Sequence, residues 1–127
     1  MKLKIINCNF SICKVRDLSQ VNFSDEFYFI GKTDEELSLV CDTNHIPENV
    51  IEHDDNWKAL KIEGVLDFSL IGILSKISTI LAENKIGIFA ISTYNTDYIL
   101  IKKKDFDKAI KVLKDNKYEV IYADKSL

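Results

Sequence analysis

The chain has 127 residues, 46% of them apolar, and a formal net charge of −3. That apolar share excludes a disordered polymer, and interspersed acids and bases exclude the basic stripe of a nucleic-acid binder. No apolar run approaches the roughly 20 residues needed to span a bilayer, and the opening MKLKIINCNF alternates like a strand rather than a signal peptide, so the expected setting is cytoplasmic, with neither nucleic acid nor membrane as partner.

The first half reads as short strands. Leu3 to Cys8 alternates, then Ser11 to Val15, Phe27 to Gly31 and Leu37 to Cys41. Arg16 to Glu26 leaves room for one helical turn. Asp42 to Asn56 holds the only proline, Pro47, and the acidic run Glu52-His53-Asp54-Asp55. It marks an internal boundary, dividing the chain into 1–56 and 57–127, and lacks the Gly and Ser of a flexible linker.

The second half is more regular. Trp57 to Glu63 reads as a strand, followed by a loop from Gly64 to Phe68. Ser69 is placed to cap a helix. Leu70, Ile73, Leu74, Ile77, Ile80 and Leu81 then follow helical spacing, with a stop near Asn84. Ile86 to Thr93 is a strand, Tyr94-Asn95-Thr96 a turn, and Asp97 to Lys102 another strand. Asp105 caps a second helix with an apolar stripe of Phe106, Ala109, Ile110 and Leu113, and Asp107 and Lys111 stand four apart as an ion pair. Tyr118 to Ala123 is the last strand. The order is β-α-β-β-α-β, an α+β ferredoxin-like fold with helices on one face of an antiparallel sheet. The first half echoes that order with its helices cut down, as a truncated copy.

This topology gathers three features at one sheet edge: the loop Gly64–Phe68, the helix N-terminus at Ser69–Gly72, and the turn Tyr94–Asp97. Free N–H groups at a helix N-terminus suit a carboxylate. Gly72 allows close approach of a ligand or another backbone. Asp97 suits an ammonium or guanidinium. Each has a plainer reading: Asp97 as a turn former, Ser69 as a cap only, Gly72 as a packing glycine.

The stretches Glu63-Gly64-Val65-Leu66-Asp67-Phe68-Ser69-Leu70-Ile71-Gly72-Ile73-Leu74 and Ile88-Phe89-Ala90-Ile91-Ser92-Thr93-Tyr94-Asn95-Thr96-Asp97-Tyr98-Ile99-Leu100 resemble small bacterial ACT-domain proteins, and look like the ACT pairs of the CASTOR cytosolic arginine sensors. The resemblance implies tandem ACT units, amino-acid sensing and pairing of units. It marks Asp67, Phe68, Ser69, Leu70 and Gly72 on one side of a ligand and Thr93, Tyr94 and Asp97 on the other. Those sensors carry several ACT units in one chain. This chain has about two, so a second pocket wall must come from its own first half or from another copy.

Other chemistry is sparse. His45 and His53 stand eight apart without the convergent ligands a metal needs. No phosphate-loop, dinucleotide or nucleophile-elbow motif is present. Cys41 with His45 lacks a third orienting group. Cys8, Cys13 and Cys41, with no CxxC, read as buried thiols in a reducing compartment. Lys102-Lys103-Lys104 reads as a solvated loop. No catalytic residue, metal or cofactor is expected. A stripe of Ile71, Ser75, Ser78 and Ala82, and a strand apolar on both faces around Ile88 and Phe89, point to cover either by the first half of the chain or by a partner subunit, by default in a homodimer. The expected function is a non-catalytic amino-acid-binding regulatory sensor. The alternatives are a ligand-free ACT interaction module and, further off, a small enzyme.

Overall fold

The computed structural model describes residues 1–63 and 72–122. Its elements are β1 (Lys2–Val15), β2 (Phe29–Lys32), β3 (Leu37–Asp42), a 3-10 turn (Thr43–His45), β4 (Val50–Ile62), α1 (Ile73–Glu83), β5 (Phe89–Ser92), β6 (Asp97–Lys102), α2 (Lys103–Asp115) and β7 (Glu119–Tyr122). Two compact units emerge, one within 1–7 and 58–127, the other Cys8–Trp57.

In the larger unit the strand order is β7–β1–β4–β6–β5. β5 and β6 form an antiparallel hairpin pairing Ser92 with Asp97. β7 runs parallel to β1, pairing Lys2 with Glu119. Leu3, Ile5, Leu60, Ile62, Ile99 and Ile101 meet Ile77 and Leu81 of α1 and Phe106, Ala109 and Leu113 of α2 in one core. These strand positions alternate and these helix positions recur every three or four residues, so both periods bury the same face. Each fully buried Leu or Ile there contributes about 1.5–3 kcal/mol. The chain is thus α+β and ferredoxin-like, with one addition: the opening residues of β1 stand between the first and last strands of the β-α-β-β-α-β order.

The smaller unit has the order β2–β3–β1–β4. No helix stands between β1 and β2, and one 3-10 turn follows β3. Its core is Cys13, Val15, Leu39 and Cys41, covered by Val21, Tyr28 and Ile46 from the connections. Loop side chains take the place that helices take in the other unit. The two hairpins match: β2 and β3 lie sixty positions before β5 and β6, and β3 and β6 share one burial pattern.

Several boundaries differ from the sequence reading. The two expected opening strands are one, Lys2–Val15. The stretch before Trp57 is not irregular; β4 begins at Val50. Its residues 51–54 are exposed on both sides, so no alternation betrays it, and Asn56, at φ 68, breaks its pleat. α1 runs from Ile73, with Gly72 as its N-cap at φ 82, far from helical backbone, and the cap expected at Ser69 lies outside the described residues. Asp105 is not the cap of α2. Lys102 is, and Asp105 sits in the first turn, where a carboxylate meets the positive helix end. Lys103 and Lys104 are therefore helical rather than a loop, and exposed. Lys111 pairs with Asp115, one turn onward at 2.9 Å, rather than with the expected Asp107 one turn back.

Candidate functional site

The hairpin turn joining β5 to β6 is closed by Thr93. Its N–H and hydroxyl both donate to the Thr96 carbonyl, at 2.8 and 2.9 Å. The Thr96 N–H reaches back to Thr93 Oγ1 at 3.4 Å. Positive φ among non-glycine described residues occurs only at Asn56, Lys85 and Lys117, so this is not the primed turn that Asn-Gly would give. A threonine hydroxyl does the closing instead. The turn-forming role open to Asp97 is therefore filled by Thr93. Asp97 is half-buried at the first position of β6, and among the described residues no side chain bonds its carboxylate. Tyr94 projects from the turn, 83% exposed.

Thr96 is 3% exposed, and its hydroxyl donates to the carbonyl of Ile62 at 2.7 Å. Ile62 ends β4, the sheet neighbour of β6. The end of one strand and the start of the other are thus tied together. Next along the chain, Glu63 donates its N–H to the Lys2 carbonyl at 2.9 Å. Its Oε2 is buried and finds no hydrogen-bond partner among the described residues, with Lys61 Nζ 3.8 Å away. Burial first, then the Glu63 charge, pushes the Tyr98 hydroxyl above its ordinary pKa.

Of the expected site residues, Thr93, Tyr94 and Asp97 stand together on this hairpin. Gly72 stands at the start of α1, where it has no side chain to satisfy the first-turn N–H groups. Asp67, Phe68, Ser69 and Leu70 lie outside the described residues. Thr96 and Glu63 were missed. The available signal was a threonine at each end of a four-residue turn, which lets one close the turn and frees the other for a neighbour.

Among the described residues no group of three or more His, Cys, Asp or Glu side chains is arranged to hold a metal ion. Cys41 is 3% exposed, with its sulfur 3.9 Å from that of Cys13. His45 turns Nδ1 to Asp25 at 2.8 Å. These residues do not assemble a nucleophile and base. An open groove of about 580 Å³ lies between α1, at Lys76, Thr79 and Ile80, and the approach to β7, at Lys117 and Tyr118. Gly72, Thr93, Tyr94 and Asp97, the expected site residues among those described, do not line it. No described helix is long and apolar enough to cross a membrane.

A family model for the ACT domain matches residues 52–115. A second, described as an N-terminal domain, matches residues 9–49. No curated protein sequence matches the chain. Among solved structures, protein Atu0741 from Agobacterium tumefaciens is 30% identical, with a TM-score of 0.83 over 99% of this chain and 96% of that one. Aspartate kinase from Clostridium acetobutylicum is 16% identical, with a TM-score of 0.63 over 89% of this chain and 33% of that one. The ligand-free regulatory subunit of aspartate kinase from Thermus thermophilus is 9% identical, with a TM-score of 0.64 over 89% and 95%. The last two are likenesses of fold.

Proposed function

We propose, from the premise that this chain belongs to the ACT-domain family, that it is a non-catalytic regulatory module binding a small molecule of the amino-acid class. The observation that carries this is Asp97. A half-buried carboxylate that no side chain among the described residues bonds, on a turn held to the end of β4, is suited to a ligand ammonium. The N–H groups at the start of α1 are suited to its carboxylate. The fold likeness to an aspartate kinase regulatory subunit supports a regulatory rather than a chemical role, though fold alone does not establish function.

The matched hairpins sixty positions apart support a tandem arrangement, with Cys8–Trp57 a truncated ACT unit. A second copy of the chain supplies the rest of the pocket in a symmetric homodimer, the default arrangement for a face that needs cover. Three free thiols suit a cytoplasmic setting.

Thermal denaturation of the full chain with each standard amino acid tests the reading. At least one should raise the melting temperature, and Asp97→Ala should abolish the rise while leaving the ligand-free melting temperature within a few degrees. If none shifts it, or if Asp97→Ala responds like the parent, the assignment fails.

A further inference from the structure

The turn that carries Asp97 has a counterpart in the smaller unit, and comparing them isolates one bond. At Thr33 the N–H donates to the Glu36 carbonyl at 2.9 Å, and the Glu36 N–H reaches Thr33 Oγ1 at 3.2 Å. The closure is that of Thr93 and Thr96. Yet Glu36, in the fourth position, is exposed, and its carboxylate accepts from Ser38 at 2.6 Å. A turn of this kind therefore forms without a buried hydroxyl at its fourth residue. The bond from Thr96 to Ile62 adds something the turn does not need for itself. It fixes the turn against the place where the chain leaves β4 for α1.

We infer that Thr96 is a positioning residue of the ligand edge. Being buried, it touches no ligand. It sets the place of Asp97, its chain neighbour, against the end of β4 at Ile62. Near-correct placement of recognition groups governs affinity, so releasing this clamp weakens binding even where the turn stays closed. The inference rests on the amino-acid reading, and its test separates the two.

The full-length protein is compared with Thr96→Val, Thr96→Ser and Ile99→Val, the last a core change on the same strand that removes no hydrogen bond. The probe is whichever standard amino acid most raises the parent's melting temperature, and affinity is read by calorimetry. Thr96→Val should weaken binding by about tenfold, the scale of one hydrogen bond. Thr96→Ser should restore affinity to within about twofold, and Ile99→Val should leave it there, since losing one methylene from the core leaves the hydrogen bond of the edge intact. In ligand-free protein, amide exchange at Thr93–Asp97 and Ile62–Glu63 should rise in Thr96→Val alone. Affinity unchanged in Thr96→Val overturns the inference and spares the amino-acid reading. Equal weakening in Ile99→Val also overturns it, because stability alone is then responsible. If no amino acid binds the parent, the amino-acid reading falls, and exchange decides the rest: a local rise in Thr96→Val upholds the clamp, and none overturns it.

Discussion

Two polar side chains are buried among the described residues, Thr96 and Ser11, and the second shows how a polar group survives in a sheet interior. Ser11 donates to Asp55 Oδ1 at 2.6 Å and faces Thr43 Oγ1 at 2.9 Å. The same carboxylate oxygen lies 2.8 Å from His53 Nδ1. Serine, aspartate and histidine are thus linked, but the carboxylate stands in the middle. No imidazole reaches the hydroxyl, so the order cannot activate Ser11 as a nucleophile. What it does is raise the His53 pKa above 6.5, first by the hydrogen bond to Asp55 and then by its charge. A proton held more tightly in the folded chain stabilises that chain. The contribution is complete below the unfolded value of 6.5 and is lost as pH rises through the higher folded value. His53→Gln should therefore lower the melting temperature relative to the parent at about pH 5.5, and the gap should close above about pH 8. A gap that widens with pH would refute the pairing. Because His53 is exposed, salt should shrink the effect.

At the level of elements, both helices stop in the same way, and the sequence says so. Asn84-Lys85-Ile86 and Asn116-Lys117-Tyr118 follow the last helical residues. Ile86 and Tyr118 each donate an N–H to a leucine carbonyl five residues back, Leu81 and Leu113, at 3.0 and 3.1 Å. That geometry needs a left-handed residue, and lysine fills it, at φ 60 for Lys85 and 73 for Lys117. Glycine would take this backbone without a Cβ penalty. Lys85→Gly and Lys117→Gly should each stabilise the protein by about 0.5–1 kcal/mol in urea unfolding. Ala82→Gly, on the exposed face of α1, should cost about as much instead. A loss of stability in both lysine variants would contradict the assigned backbone.

The stops were legible because asparagine marks them locally, as were β6, bounded at Asp97, and the periodic cores of α1 and α2. The starts were not. Gly72 sets the start of α1 at Ile73 through a backbone angle that no polar pattern announces. Early β4 was hidden because Ile51 to Asp54 meet solvent on both faces. For the candidate site, Thr93, Tyr94 and Asp97 could be read from the turn itself, while the Thr96 clamp depends on a strand 34 residues away in sequence.

At the scale of the molecule, sequence order and folding unit diverge. A cut at Trp57 looks natural, since the following residues contain a complete β-α-β-β-α-β order. Yet Leu3 and Ile5, 0% and 6% exposed, belong to that core. Residues 2–5 also hold β7 in register, and the Lys2 carbonyl receives the Glu63 N–H. Removing them strips a strand from between β7 and β4 and takes two side chains out of the core, each worth about 1.5–3 kcal/mol. That is a large share of the roughly 5–15 kcal/mol that separates a folded domain from its unfolded chain. A fragment of residues 57–127 should therefore show poor amide dispersion and no cooperative melting. The Glu63–Lys2 bond also suggests the remedy. It sets the start of β1 beside the end of β4, so Asn7 falls near Lys58, and a short glycine-rich turn can join residues 1–7 directly to 58–127. That chimera should melt cooperatively and disperse its amides, because the inserted strand returns without the smaller unit. Cooperative folding of 57–127 alone, as stable as the chimera, would show that the opening strand is an accessory to this unit rather than part of its core.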